Sequence, residues 1–378
     1  MIPLAIPNLR GKEQTYLREC IETNFVSSVG PFVDRFEADL GRLLGVTRAV
    51  ATTSGTSGLH VALVAAGVGR DDLVILPSLT FIASANAIAH CGGLPWSFDI
   101  DPRSWTLSGE ALARGIDAEC EKQDRGLVHR ATGRRVAAIM PVHTLGVVAD
   151  MDPIVEIART YGLPVVADGA ASLGADYRGR SPAATGADLT VFSFNGNKTV
   201  TAGGGGAVVG DDETLCDLVR HLTTTARVSP AYEHDRVGFN YRLTNLQAAV
   251  GCAQLEQLES FVAAKRRISD RYDRELTDLE GVEAFPKPEW GTSACWLSGV
   301  VIRERPLPKI LESLEASGIG ARPFWRPIRL QAPYREAPSE PTPHCDAIWQ
   351  QILTLPCSTQ LTESDQGRVI EALRRCLE

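Results

Sequence analysis

The chain has 378 residues, of which 44% are hydrophobic and 22% charged, and its formal net charge is -8. This length exceeds that of one typical domain, so it predicts a large domain and a smaller one. The negative charge disfavours a protein that binds nucleic acid or a membrane surface, and the densest basic cluster is only Lys265-Arg266-Arg267.

The nine cysteines are scattered singly, with no CxxC motif and no clustering with histidine. This usage is typical of a reducing cytosol and predicts neither a disulfide framework nor a metal site. No stretch approaches the roughly 18 apolar residues of a membrane span. Polar residues at Asn8, Arg10 and Lys12 interrupt any signal-peptide core. We therefore expect a soluble, cytoplasmic protein that contacts no membrane.

The first half of the chain alternates between helical and strand-like patterns. After an arm at residues 1–11, a helix is predicted at residues 13–23. A turn at residues 26–31 separates it from a second, amphipathic helix that ends at about residue 44. Seven short apolar runs then predict strands at residues 49–53, 73–76, 94–98, 136–142, 164–167, 189–194 and 206–209. Intervening helical patterns are clearest at residues 57–66, 78–90 and 151–161. This order predicts an α/β fold with a seven-stranded, mostly parallel sheet.

A long helical pattern follows at residues 243–276, and beyond it the alternation of apolar strands and helices ends. Short apolar runs, one helix near residues 307–317 and a tract rich in proline and tryptophan at 322–343 predict a smaller α+β domain. We place the boundary within the long helix, which gives domains at residues 1–250 and 251–378.

The most informative stretch surrounds Lys198. An apolar strand ends at Ser193-Phe194, a turn carries the lysine, and four consecutive glycines follow at Gly203–Gly206. Desolvation lowers the proton affinity of such a lysine, and the neutral amine can form a Schiff base. Taken alone, a solvated loop lysine beside a flexible turn is the simpler interpretation.

Other candidate site residues follow other strands, where α/β proteins bind ligands. Gly55 and Thr56 open a helix and predict a phosphate site, although small residues also cap helices for structural reasons. Phe81 is either core packing or a lid over an aromatic ligand. Asp168 ends a buried strand, where it either caps a turn or needs a partner. Together with Lys198 they are the parts that hold pyridoxal 5'-phosphate.

These motifs resemble the DegT/DnrJ/StrS family of nucleotide-sugar aminotransferases, a branch of the fold-type I enzymes that depend on pyridoxal phosphate. Residues 193–198 with Gly203–Gly206 are similar to the family's SFxxxK and glycine run, Gly55-Thr56 to its GT turn, and Asp168-Gly169-Ala170 to its DAA. Residues 238–249 resemble GxNxR…QAA. Residues 322–325 with Leu355-Pro356 fit the C-terminal domain of the family.

The resemblance implies a role for each matching residue. Lys198 would bond the cofactor, Asp168 would pair with its pyridine nitrogen and Phe81 would stack on its ring. Gly55, Thr56 and Ser193 would hold the phosphate, while Asn240 would reach the phosphate of the neighbouring subunit in a homodimer. The residues expected nearer the substrate are His143, His234 and Arg242, for which a structural hydrogen bond, a loop position and a surface ion pair are the alternatives.

Two positions bear on the chemistry. Family members often carry a polar residue three positions after the aspartate, close to the 3-hydroxyl of the cofactor, and here that residue is Ala171. A dehydrating subgroup replaces the lysine with histidine, whereas this chain keeps Lys198, which favours transamination.

The expected substrates are an amino-acid donor, glutamate, and a nucleotide sugar. The resemblance is greatest to the branch that aminates the 4-keto carbon of UDP-linked 4-keto-6-deoxy-N-acetylhexosamines in surface-glycan synthesis. The alternatives are a 3-keto sugar, a GDP-linked perosamine-like ketosugar, a cyclitol, or a cofactor-binding regulator without catalysis. A nicotinamide oxidoreductase is disfavoured, because residues 55–58 do not have the GxGxxG spacing.

Overall fold

The structure is a computed structural model that describes residues 1–377. All seven predicted strands are present, and they form the central layer of the fold. In spatial order they are Leu94–Phe98, Leu73–Pro77, Val136–Ile139, Val166–Asp168, Leu189–Ser193, Gly206–Gly210 and Arg48–Thr52. The third and fourth strands are joined by parallel bridges from Ile139 to Val165 and from Val142 to Asp168.

Only Gly206–Gly210 runs against its neighbours, so the sheet is mostly parallel. Its central strands are buried on both faces, which explains their unbroken apolar sequence. The helices that follow strands in this part of the chain are Gly55–Ala65, Ile82–His90, Gly109–Glu119, Met151–Tyr161 and Glu213–Thr223. The architecture confirms the predicted α/β class and is that of fold-type I enzymes.

The N-terminal helices, Glu13–Glu22 and Pro31–Leu44, pack against helix Asn245–Leu255. The edge of the Phe36 ring meets Phe194 at a centroid distance of 5.0 Å. Gly251 allows helix Asn245–Leu255 to pack closely on helix Pro31–Leu44, because a Cβ at this position would lie 2.6 Å from the Phe36 ring. The segment before Lys198 is therefore held by buried aromatic contacts.

The prediction of one helix over residues 243–276 is wrong in detail. Helix Asn245–Leu255 is capped by Thr244 and Gln247, and a second helix, Leu258–Leu276, begins after a break at Gln257. The apolar pattern continues across the break. The start of the second helix, at Leu258 and Phe261, still shares the core of the N-terminal helices, but the rest of it packs on the C-terminal sheet. The boundary near residue 250 falls inside the first helix and stays a prediction.

The C-terminal part is an antiparallel sheet with helices packed on it, in agreement with the predicted α+β class. Its strands are Val282–Ala284, Ser298–Ile302, Ile352–Leu355 and Arg322–Pro323, in spatial order. Helices Leu258–Leu276, Leu307–Ala316, Pro343–Ile348 and Glu363–Leu377 share its hydrophobic core. The N-terminal arm crosses to this part, where Ile2 exchanges backbone hydrogen bonds with Gly318 and Gly320.

The remaining elements are short. They are the hairpin Cys120–Gln123 with Gly126–His129, the strand pair Asp176–Tyr177 with Gly291–Thr292, and 3-10 turns at Thr144–Gly146, Ile328–Leu330 and Ala332–Tyr334. Across residues 1–377, no helix combines the length and apolar character that a membrane crossing needs.

Candidate active site

A cavity of about 580 Å³ lies where the strands of the central sheet end, and the C-terminal part closes its other side. Its volume suits a small-molecule ligand. The predicted residues that line it are Gly55, Thr56, Phe81, His143, Asp168, Ser193 and Lys198. The fold therefore brings residues from five separate segments of the large sheet to one site.

Lys198 projects into this cavity from the turn after strand Leu189–Ser193. Its backbone N–H donates to the Asn195 carbonyl at 3.0 Å, which closes the turn. The side chain has some exposed surface because it lines the cavity, but the surrounding protein desolvates the amine. Burial lowers the pKa of Lys198 to about 8, although the charge of Asp168 works against this shift. A substantial neutral fraction is therefore available near physiological pH.

Asp168 ends strand Val166–Asp168 and is 5% exposed. Its Oδ2 accepts a hydrogen bond from the Ser84 hydroxyl at 2.7 Å, and its Oδ1 accepts one from the Ala170 N–H at 3.1 Å. Burial raises the pKa of Asp168, while these two donors and the Lys198 charge act in the opposite direction. Within the described residues 1–377, the carboxylate is positioned by hydrogen bonds but forms no ion pair, as suits a group that faces a cationic ligand.

The N-terminus of helix Gly55–Ala65 forms an anion site with Ser193. Ser54 caps this helix, its side chain accepting from the Ser57 N–H at 3.0 Å. Gly55 and Thr56 lie before Ser57 in the first turn of the helix, so their backbone N–H groups have no acceptor within the helix. Gly55 is required by space, because a Cβ there would lie 2.9 Å from the Ser193 Cβ. Backbone donors and the positive end of the helix dipole together suit a phosphate.

Aromatic rings form one wall of the cavity. Phe81 precedes helix Ile82–His90 and is 52% exposed, and its ring centroid lies 5.5 Å from that of Trp325. Trp325 in turn lies 6.0 Å from Trp296, whose ring centroid is 3.6 Å from the Lys198 amine. An exposed aromatic ring facing a cavity offers a flat surface for an aromatic ligand.

His143 lies at the base of the site and is fully buried. Its Nδ1 accepts from the Ala149 N–H at 3.3 Å, and its Nε2 makes no hydrogen bond of normal geometry within residues 1–377. Burial lowers the pKa of His143 to about 4, with a partial offset from the Pro182 backbone, so the ring is neutral at physiological pH. His143 therefore lines the cavity as a neutral ring.

Three predicted residues do not line the cavity of their own chain. Asn240 and His234 are exposed on the loop before helix Asn245–Leu255, and His234 Nδ1 lies 2.8 Å from the Thr225 carbonyl. Arg242 is turned inward, where its Nη1 donates to Glu37 Oε1 at 2.8 Å. For Arg242 the geometry matches the ion-pair alternative, although the pair is largely buried rather than at the surface.

Four residues at this site were not predicted from the sequence. Ser84, which bonds Asp168, lies one helical turn after Phe81, and that spacing is the only local signal for it. Trp296, Arg322 and Trp325 come from the C-terminal part, and although Arg322 and Trp325 belong to a motif of the family, nothing in their spacing places them beside Lys198.

The residues present fit pyridoxal phosphate. The helix N-terminus offers donors for its phosphate, Asp168 a carboxylate for its pyridinium, Phe81 a ring face and Lys198 an amine. Ala171 also lines the cavity and has no polar group. Among residues 1–377, no group of three or more histidine, cysteine or acidic side chains comes together as a metal site would require.

Comparisons with known proteins identify the family of the chain. The profile of the DegT/DnrJ/EryC1/StrS aminotransferase family matches residues 7–374. The GDP-perosamine synthase of Caulobacter vibrioides is 38% identical over 381 residues, which cover 100% of this chain and 98% of that protein. The putative pyridoxal phosphate-dependent aminotransferase EpsN of Bacillus subtilis is 37% identical over 98% of this chain and 95% of that one.

Among solved structures, a DegT/DnrJ/EryC1/StrS aminotransferase from Brucella abortus superposes with a TM-score of 0.88 at 29% identity. The match covers 97% of this chain and 95% of that one. Both kinds of match extend over nearly the whole chain rather than over one domain alone. The chain therefore belongs to the DegT/DnrJ/EryC1/StrS aminotransferase family and is a sugar transaminase that depends on pyridoxal phosphate.

Proposed function

We propose that the chain transfers an amino group from glutamate to the 4-keto carbon of a GDP-linked 4-keto-6-deoxyhexose, a perosamine-type reaction. The observation that carries the proposal is similarity to GDP-perosamine synthases along the full chain, with Lys198 and Asp168 facing one cavity. The reaction would take place in the cytoplasm, the location expected from the cysteine usage.

The nucleotide differs from the one preferred in the sequence analysis. The motifs there favoured a UDP-linked N-acetylhexosamine, whereas named relatives at 38% and 34% identity over nearly the whole chain are GDP-perosamine synthases. We therefore prefer the GDP-linked sugar, which was the alternative. The UDP-linked sugar remains the second candidate, because the motifs around Phe81 and Lys198 still resemble that branch.

In this proposal each residue has a distinct task. Pyridoxal phosphate, when bound, supplies a ring that accepts the electrons left when a proton leaves the amino-bearing carbon. Asp168 keeps the pyridine nitrogen protonated, and Gly55, Thr56 and Ser193 hold the phosphate. The Lys198 amine takes the proton from one carbon and returns it to another, which its lowered pKa of about 8 favours.

The proposal includes a homodimer in which Asn240 serves the site of the neighbouring subunit. The loop that carries Asn240 is rich in exposed apolar side chains, including Tyr232 and Val237 at 75% and 85% exposure. A subunit interface would bury such side chains. A substrate-side position for His234 would then also depend on the partner subunit.

The decisive experiment has two stages. The absorbance spectrum of the purified protein is first recorded before and after glutamate, and conversion of the bound cofactor to its amine form is expected. The GDP-linked and UDP-linked 4-keto sugars are then compared as acceptors at equal concentration, with Lys198→Ala as the inactive control.

Turnover of the UDP-linked sugar alone would reverse the nucleotide assignment. A protein that binds the cofactor but processes neither glutamate nor any ketosugar would instead be a cofactor-binding regulator. Multiple turnovers by Lys198→Ala would overturn the role given to that lysine.

A further inference from the structure

Trp296 makes the closest aromatic contact in the candidate site. Its ring centroid lies 3.6 Å from the Lys198 amine, well inside the roughly 6 Å at which a cation and an aromatic face attract each other. Trp296 is 4% exposed, so water competes little with this contact. Within residues 1–377, Lys198 Nζ forms no hydrogen bond or ion pair, and the indole face is the closest group that stabilises its charge.

The same indole also holds the turn from which the lysine projects. Its Nε1–H donates to the carbonyl of Asn197, the residue before Lys198, at 2.8 Å. One side chain therefore contacts the lysine segment at both ends, at the backbone through a hydrogen bond and at the amine through its ring. A tryptophan that only filled space would need neither contact.

Trp296 is itself fixed by its backbone. Its N–H donates to the Leu145 carbonyl at 3.1 Å, and its carbonyl accepts from the Lys265 amine at 2.9 Å. Lys265 is 3% exposed and forms no ion pair in the described part of the chain. Burying an ammonium group is costly unless its hydrogen bonds are well made. Lys265 therefore needs its hydrogen bond to the Trp296 carbonyl, and this requirement constrains the position of Trp296.

We propose that Trp296 is a positioning residue for Lys198, holding the amine beside the cofactor site with its ring and fixing the lysine turn with its indole N–H. The inference rests on the proposed function in one respect, namely that Lys198 is the reacting lysine. A lysine that both bonds a cofactor and moves a proton has to stay close while it is not bonded. The indole gives it a defined place in that condition.

The contact also affects proton affinity, because a ring face stabilises the ammonium more than the neutral amine. Trp296 therefore opposes the effect of burial on Lys198. The other groups around the amine are the Asp168 carboxylate, the neutral His143 ring and, on the C-terminal side of the cavity, Arg322. All of them are retained in a Trp296 variant, so a difference in pKa between the variant and wild type reports the loss of the ring.

The test is the pH dependence of Lys198 acylation in the full-length, cofactor-free chain. A small reagent such as acetic anhydride is used between pH 6 and 10, and the Lys198 peptide is quantified by mass spectrometry. In Trp296→Leu we expect the midpoint to fall by about 0.5 to 1 unit, and in Trp296→Phe by less. Trp325→Leu is the matched control, since it removes an indole from the same wall that does not contact Lys198, and its midpoint should stay at the wild-type value.

An unchanged midpoint in a folded Trp296→Leu protein overturns the proposal, and so does an equal fall in the Trp325 control. If the leucine variant is insoluble, Trp296→Met takes its place with the same expected fall. The outcome is independent of activity. If the midpoint falls but the chain takes up no pyridoxal phosphate, the proposed function fails, while the effect of the Trp296 ring on the Lys198 amine stands.

Discussion

The hydroxyl of Ser84 donates a hydrogen bond of 2.7 Å to Oδ2 of Asp168, and both residues are buried. Ser84 is in turn hydrogen-bonded to Thr80, whose Oγ1 lies 2.8 Å from the Ser84 Oγ. The helix that follows Phe81 thus supports the carboxylate that would face the cofactor. Ser84 touches no ligand itself and acts through Asp168.

Ser84→Ala is expected to weaken cofactor binding and kcat by about 10- to 100-fold, since hydrogen bonds to charged groups contribute roughly 1.5–3 kcal/mol. Burial already raises the pKa of Asp168, and loss of the Ser84 donor raises it further. The carboxylate then ionises only at higher pH, so the defect should shrink as pH rises. Cofactor titrations between pH 6 and 9 measure this.

A suitable control for Ser84→Ala is Ser298→Ala. Ser298 is also buried, but its hydroxyl has no hydrogen-bond partner in the described chain, so its removal should leave cofactor affinity unchanged. A Ser84→Ala defect that is the same at every pH would argue against an effect through the ionisation of Asp168.

His143 should make the protein sensitive to acid. Its pKa falls from 6.5 to about 4 on burial, so between these values the unfolded chain binds more protons than the folded one. The free energy of unfolding is therefore undiminished by His143 above about pH 6.5. It falls as the pH decreases, and the contribution of His143 to this fall is roughly 3 kcal/mol at pH 4. Urea unfolding of wild type and His143→Asn at pH 7 and pH 4 tests this prediction.

The variant should lose less stability between the two pH values than wild type does. At pH 7 the histidine ring is neutral in the folded chain, and the comparison there isolates ordinary packing and hydrogen-bond effects. Parallel pH profiles for the two proteins would show that His143 is not the group responsible.

Glu37 connects three parts of the large domain. Its Oε1 accepts from the Ala51 N–H and from Arg242, each at 2.8 Å, and its Oε2 accepts from Arg220 at 2.7 Å. Glu37→Gln leaves the largely buried guanidinium of Arg242 and the partly exposed one of Arg220 without their counter-charge. We expect a loss of about 2–4 kcal/mol in the free energy of unfolding.

The control for Glu37→Gln is Asp39→Asn on the same helix, whose ion pairs with Arg35 and Arg42 lie at the surface. Exposed pairs of this kind contribute less than about 1 kcal/mol. If Glu37→Gln instead left stability unchanged and raised KM for the nucleotide sugar, Arg242 would belong to the substrate site after all.

The sequence predicted most of the fold because the signals are local. Each strand of the large sheet is a short buried run bounded by turn residues. Lys198, Asp168 and Gly55-Thr56 lie at the ends of such runs or within five residues after them. The break at Gln257 was not predictable, because the apolar spacing from Leu255 to Val262 continues through it. Only packing against two different surfaces separates the helices.

The missed part of the site depends on contacts between distant segments. Trp296 lies in the C-terminal part, and its sequence neighbours resemble those of any buried strand. Its place over the Lys198 amine results from how the C-terminal sheet closes the cavity. Asn240 presents the converse problem, since its proposed role needs a second subunit, which no pattern within one chain can position.

Subunit complementation tests that role of Asn240. Lys198→Ala and Asn240→Asp, each expected to be nearly inactive alone, are mixed under conditions that let dimers exchange. A mixed dimer contains one site with an intact lysine and an intact asparagine from the partner. Random exchange should therefore restore about a quarter of wild-type activity, given two-fold symmetry.

Asp168→Asn mixed with Lys198→Ala is the matched control, because both residues line the cavity of their own chain. Every site in that mixture carries one of the two defects, so activity should stay at the sum of the separate variants. If the Asn240→Asp mixture also showed no recovery although exchange had occurred, Asn240 would serve its own chain or no site. Recovery in the Asn240 mixture alone is expected, because the exposed loop places Asn240 away from the cavity of its own chain.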